Sequence, residues 1–311
     1  MTDRFGATAE YFVQNQDALL NAFGREEGML YPVCAAILLD RERPITVEEL
    51  KGLRTHIRVD DDFTGDFKGP AVVPIGCMLA ASDHPAELTL RAPALYRRLT
   101  EKLPRSSFLA MTVLALIDYL PEEEWDRFID RAARVYELLE KRSYLESEEE
   151  GFLAALLAMT EKSPELAVFE AADLTVKLKP LFPLRSSARA VSLTLSLSGG
   201  DNAQNLRHIQ KVMSRLHTAG MKLGGNHSMG LLGALSFSKY DSSRLVERLR
   251  EADRALSVQK HYHGLLAVSR KRRLMHAAIL VARRAAREDV NMQIAYRAAL
   301  CIILEDALSA Y

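Results

Sequence analysis

The chain has 311 residues, 48% of them hydrophobic and 26% charged, an ordinary globular composition with ample apolar material for a core. Lys plus Arg (41) equals Asp plus Glu (41), so no global field draws the chain to nucleic acid or anionic lipid. Cys34, Cys77 and Cys301 are too few and too scattered for a disulfide framework or a structural zinc site, and read as small buried hydrophobes.

Taken in chain order, the N-terminus (MTDRFGATAEYF) lacks a basic region followed by an apolar stretch, so no signal peptide is expected. A helix is predicted near residues 7 to 23. An apolar segment, PVCAAILLD (32–40), comes next. Thr46 and Glu49 then form a capping box before the helix containing Leu50 and Leu53. PIGCMLAAS (74–82) precedes an amphipathic stretch interrupted by Pro93, where a kink or break is expected. After TVLALIDYL (112–120), Pro121 and Glu122 to Glu124 open a helix with negative charge near its start. Ser147 and Glu150 form a second capping box before LAALLAMTE (153–161), and Ser163-Pro164 supplies a cap and then proline at the first helical position. VSLTLSLSG (191–199) alternates like a strand, but its place in the series assigns it to a buried helix. Gly220, Gly224 and Gly225 end one helix, Asn226 can cap the next, and GLLGALSFS (230–238) follows. Without proline after Leu184, helices there can run long, ending in two near 264–286 and 289–309. The longest apolar runs, such as Phe108 to Ile117, fall short of the ~20 residues that span a bilayer, and the chain is expected in the cytoplasm.

A repeat organises these segments. An aliphatic residue or alanine, three residues, then leucine closes each amphipathic stretch: Leu95/Leu99, Val135/Leu139, Leu174/Leu178, Val212/Leu216 and Ala252/Leu256. The leucines lie 40, 39, 38 and 40 residues apart, and a weaker copy ends near Val59. Each unit is thus a buried helix, a turn, a longer amphipathic helix and another turn. One hairpin cannot bury both faces, but stacked copies can. The expected fold is all-α: an αα-hairpin repeat array, or α-solenoid, of about six units of roughly forty residues. An N-terminal capping helix (1–29), the repeats (30–263) and C-terminal capping helices (264–311) are expected to form one continuous domain.

With the units laid out, FKGPAVVPIGCMLA (67–80), LYRRLTEKLPRSSFLAMTVLAL (95–116), VYELLEKRSYLESEEEGFLAALLA (135–158) and LHTAGMKLGGNHSMGLLGALS (216–236) resemble domain-of-unknown-function family 4003. The shared features are an amphipathic helix, a short turn with Phe-Lys or Met-Lys just before glycine, and an apolar helix. The resemblance covers most of residues 30 to 260 and implies a fold style and a bacterial origin, not a reaction.

Chemistry-bearing residues are sparse. Asp61 and Asp62, with Asp60 and Asp66, could hold magnesium against a diphosphate, but Gly65, Gly69 and Pro70 mark their surroundings as a loop. His227, after Gly224-Gly225-Asn226, sits at a predicted helix start where free N–H groups can meet an anion. No nucleophile elbow, zinc-protease or nucleotide-binding signature occurs, so neither metal nor organic cofactor is expected. Basic residues recur at the repeat-end turns: Lys102 and Arg105, Lys141 and Arg142, Lys177 and Lys179 with Arg185, then Lys222. A basic cluster, including Arg270, Lys271, Arg272 and Arg273, opens a C-terminal helix. The expectation is a non-catalytic repeat protein that binds a protein partner through Arg105, Arg142, Arg185, Lys222, Asn226, His227, Arg272 and Arg273. The alternatives are an enzyme with a pocket in the array, with the aspartate run as its magnesium site, and nucleic-acid binding along the basic edge.

Overall fold

The structure, a computed structural model, describes residues 5–25, 28–41, 43–57, 71–197, 201–223, 227–236, 240–264 and 267–309. These form fifteen α-helices and no strand, so the chain is all-helical over the described residues. None of these helices is long and apolar enough to cross a membrane. The chain divides into two compact units: Asn15–Glu170 with Leu304–Tyr311, and Met1–Gln14 with Ala171–Ile303.

In the first of these units, α1 (Gly6–Phe23) contributes its C-terminal part. There follow α2 (Tyr31–Leu38), α3 (Val47–Ile57), α4 (Val72–Ala81), α5 (Pro85–Leu99), α6 (Ser107–Leu116), α7 (Trp125–Lys141), α8 (Gly151–Ala158) and the start of α9 (Pro164–Leu178). The apolar segments become the short inner helices: α4 packs against α2 and α6, and α6 against α8. The amphipathic segments become outer helices, with α5 against α7. Thr46 and Glu49 form the reciprocal capping box, Thr46 N donating to Glu49 at 2.9 Å and Glu49 N to Thr46 Oγ1 at 3.2 Å. The second expected box forms differently. Residues 148–150 make a 3₁₀ turn, so Glu150 reaches past Ser147 and accepts from the Glu146 N–H at 2.7 Å. Pro93 does not break α5, which runs through it with Leu88, Ala92, Leu95, Tyr96 and Leu99 buried along one side.

The other unit holds α10 (Arg185–Ser196), α11 (Asn202–Thr218), α12 (Gly230–Leu235), α13 (Ser242–Ser257), α14 (Arg270–Ala286) and part of α15 (Val290–Leu308). α12 lies between α10 and α14, and α11 packs on α13. The alternating SLTLSLS is helical through Ser196, as its place in the series requires. Two of its buried polar side chains are bonded: Ser192 Oγ donates to Ala171 O and Thr194 Oγ1 to Gly230 O, the latter at 2.9 Å. That contact needs glycine on α12, because a Cβ at Gly233 would collide with Thr194 Oγ1 and stand 2.7 Å from Val191 O. α12 itself is only six residues long, shorter than the absence of proline suggests.

Every residue of the five repeated pairs is at most 3% exposed, so the recurring spacing marks core positions. The leucine carbonyls also organise the following turns. Leu103, Tyr144, Phe182 and Met221 donate their backbone N–H to Leu99, Leu139, Leu178 and Leu216 at 2.9–3.0 Å, and each side chain is buried. Two of these turns place a left-handed residue first, Ser143 (φ 50°) and Gly220 (φ 65°). Their N–H groups bond Glu140 O and His217 O, completing the Schellman pattern that satisfies the carbonyls at the end of a helix. The three cysteines are buried and none forms a disulfide.

Candidate partner-binding surface

On α7 the physical chemistry is conventional. Trp125, Phe128, Ile129, Ala132, Val135 and Leu139 form its buried stripe, and every exposed residue of the helix is charged. The charges pair across neighbouring outer helices: Arg98 with Asp126, Lys102 with Asp130 at 2.6 Å, and Arg134 with Glu165 at 2.9 Å. Exposed pairs of this kind each contribute about 0–1 kcal/mol, so their effect is to neutralise charge and set the neighbours' register.

The first turns of α9 depart from that pattern. Ser163 Oγ accepts from the Leu166 N–H at 3.3 Å, Pro164 opens the helix, and Ala167, Val168, Ala171, Leu174 and Leu178 are buried. Leu166 and Phe169 fall outside the buried stripe and stand 44% and 52% exposed. The Arg142 guanidinium lies over the Phe169 ring, 5.8 Å from its centroid. Glu165 is engaged by Arg134, and Glu170 by Lys162 at 2.5 Å. A hydrogen bond from its own backbone N–H, followed by Arg134, holds Glu165 below the usual carboxylate range. Arg142, an expected binding residue, thus stands beside an exposed aromatic ring. Phe169 and Leu166 escaped the sequence reading, although their offset from the Leu174/Leu178 stripe is visible there.

The remaining candidates occupy varied positions. Arg105 is exposed in the turn before α6, where Ser106 Oγ accepts from Leu109 N at 3.1 Å and donates to Glu149 O at 3.2 Å. Arg185 is the first residue of α10 and Lys222 follows the turn closed by Met221; both are exposed. Arg272 is exposed in the first turn of α14, whose start is capped by Ser269. Its neighbour Arg273 is committed internally, donating from Nε and a terminal nitrogen to Asp253 at 2.7 and 3.3 Å. His227 begins a 3₁₀ turn, His227–Met229. Asn226, Asp61, Asp62 and Asp66 lie outside the described residues. Among the described residues, no group of three or more His, Cys, Asp or Glu side chains could hold a metal ion.

Compared with known proteins, residues 17–306 match the family described as "Protein of unknown function (DUF4003)", and the chain belongs to that family. No curated protein and no solved structure matches the chain.

Proposed function

For this member of the DUF4003 family, we propose a non-catalytic role: an αα-hairpin repeat protein, continuing as an α-solenoid, that binds a protein partner through its outer helices. The observation that carries the reading is Phe169, a large aromatic side chain 52% exposed beneath Arg142, next to a helix whose exposed residues are all charged. Leaving half of an aromatic ring in water forgoes about 1 kcal/mol of burial, and aromatic residues and arginine are the types enriched where partners bind.

The experiment compares proteins recovered from a lysate of the source cells by the parent chain and by Phe169→Ser. At least one protein is expected to be recovered by the parent and reduced about tenfold by the variant, the effect of losing one interface anchor. Identical recoveries would overturn the reading. Small-angle scattering tests the solenoid separately: a compact spherical profile would remove it.

A further inference from the structure

The same surface carries information on the chemistry of its partner, and this inference rests on the partner-binding reading. We propose that the end of α7 and the start of α9 take a short acidic segment of a protein, with a carboxylate placed next to an apolar side chain.

Unpaired positive charge and exposed apolar surface meet at this patch. The carboxylates nearest Phe169 on α9 are already neutralised, Glu165 by Arg134 and Glu170 by Lys162. Lys141 and Arg142 are exposed, and neither side chain makes an ion pair among the described residues. Cations at a helix C-terminus ordinarily complement its free carbonyls. Here Leu139 O and Glu140 O already accept backbone N–H groups from Tyr144 and Ser143, at 3.0 and 2.9 Å. The face of the Arg142 guanidinium rests over Phe169, and a guanidinium in that arrangement keeps its N–H edges available for a carboxylate. Charge-assisted bonds to such a fork are about twice as strong as neutral ones, and the adjacent Leu166 and Phe169 would take an apolar neighbour out of water. The patch is therefore apolar at its centre and carries two unpaired cations at one side, which is complementary to an acidic–apolar peptide.

The test is selection from a random-peptide display library on the immobilised full chain, followed by titration of the enriched peptides as labelled synthetic versions. Enriched peptides are expected to carry Asp or Glu beside Phe, Leu or Trp. Their binding should fall about tenfold in Arg142→Glu and in Phe169→Ser, and by a smaller factor in Lys141→Glu, with unchanged circular dichroism. Enrichment without acidic residues, no enrichment, or equal binding to Arg142→Glu overturns the assignment. So does a single-stranded RNA or an anionic vesicle that binds the parent in place of the peptides and is lost in the same variants. If Phe169→Ser loses a cellular partner while no acidic peptide is selected, the partner-binding reading stands and the peptide class falls. If neither occurs, both fall.

Discussion

Tyr262 and His276 share a buried hydrogen bond, the phenol oxygen 2.5 Å from Nδ1 of the imidazole. Phe12 packs edge-on against the same ring at 5.6 Å between centroids. Burial, with the Arg272 charge second, pushes His276 down to about 4, so the ring is neutral and Nδ1 can accept from the phenol. A folded-state value below the unfolded one means that the unfolded chain binds the proton first. The contribution is fully present above about 6.5 and is lost as the pH falls towards 4. Urea unfolding should therefore show stability falling by about 1 kcal/mol per pH unit across that window from this site alone. His276→Gln should be less stable at pH 7 and show a flatter slope. An unchanged slope in the variant would assign the acid sensitivity elsewhere.

The close approach of α10 and α12 makes Gly233 intolerant of any side chain. Gly233→Ala should destabilise the protein by about 1–3 kcal/mol or more, because the new methyl meets both a threonine oxygen and a backbone carbonyl. Adding Thr194→Ala should recover only part of the loss, since Val191 O remains 2.7 Å from the added carbon. Full recovery in the double variant, measured by urea unfolding, would show that the carbonyl can move aside.

Two equivalent turns give opposite forecasts. Gly220 and Ser143 occupy the same left-handed position after α11 and α7. A Cβ at Gly220 meets nothing within 4 Å, so the cost of Gly220→Ala is backbone strain alone, about 1 kcal/mol. At Ser143, glycine should relieve that strain, so Ser143→Gly should be more stable than Ser143→Ala, which loses the same side-chain contacts, by about 0.5–1 kcal/mol. Thermal melting of these variants tests the pair, and a stabilising Gly220→Ala would contradict the geometry.

The repeated leucines and the exposed patch should separate cleanly. Leu139→Ala empties a position that is 0% exposed and should cost about 2–5 kcal/mol. Arg142→Glu, on the surface three residues later, should cost no more than about 1 kcal/mol, from the lost contact with Phe169 and the reversed charge at the helix end. Comparable losses in the two variants, read by urea midpoint, would mean that Arg142 is part of the fold rather than of a binding surface.

The chain of 311 residues carried its helical organisation in local terms. A Leu four residues after a small or aliphatic residue defines one face of one helix turn, and Thr46 with Glu49 defines one helix start, without reference to distant chain. Even the alternating SLTLSLS is helical through Ser196, as expected from the apolar segments that precede and follow it in the sequence. Which charges remain available was decided by folding. Lys102 is neutralised by Asp130, 28 positions away, and Arg273 by Asp253, 20 positions back, while Arg142 is left over an exposed phenylalanine. Two basic residues that look alike in sequence differ in how their charge is compensated when only one has a carboxylate within reach. That distance is set by how helices pack, since Coulomb and hydrogen-bond energies act through space rather than along the chain.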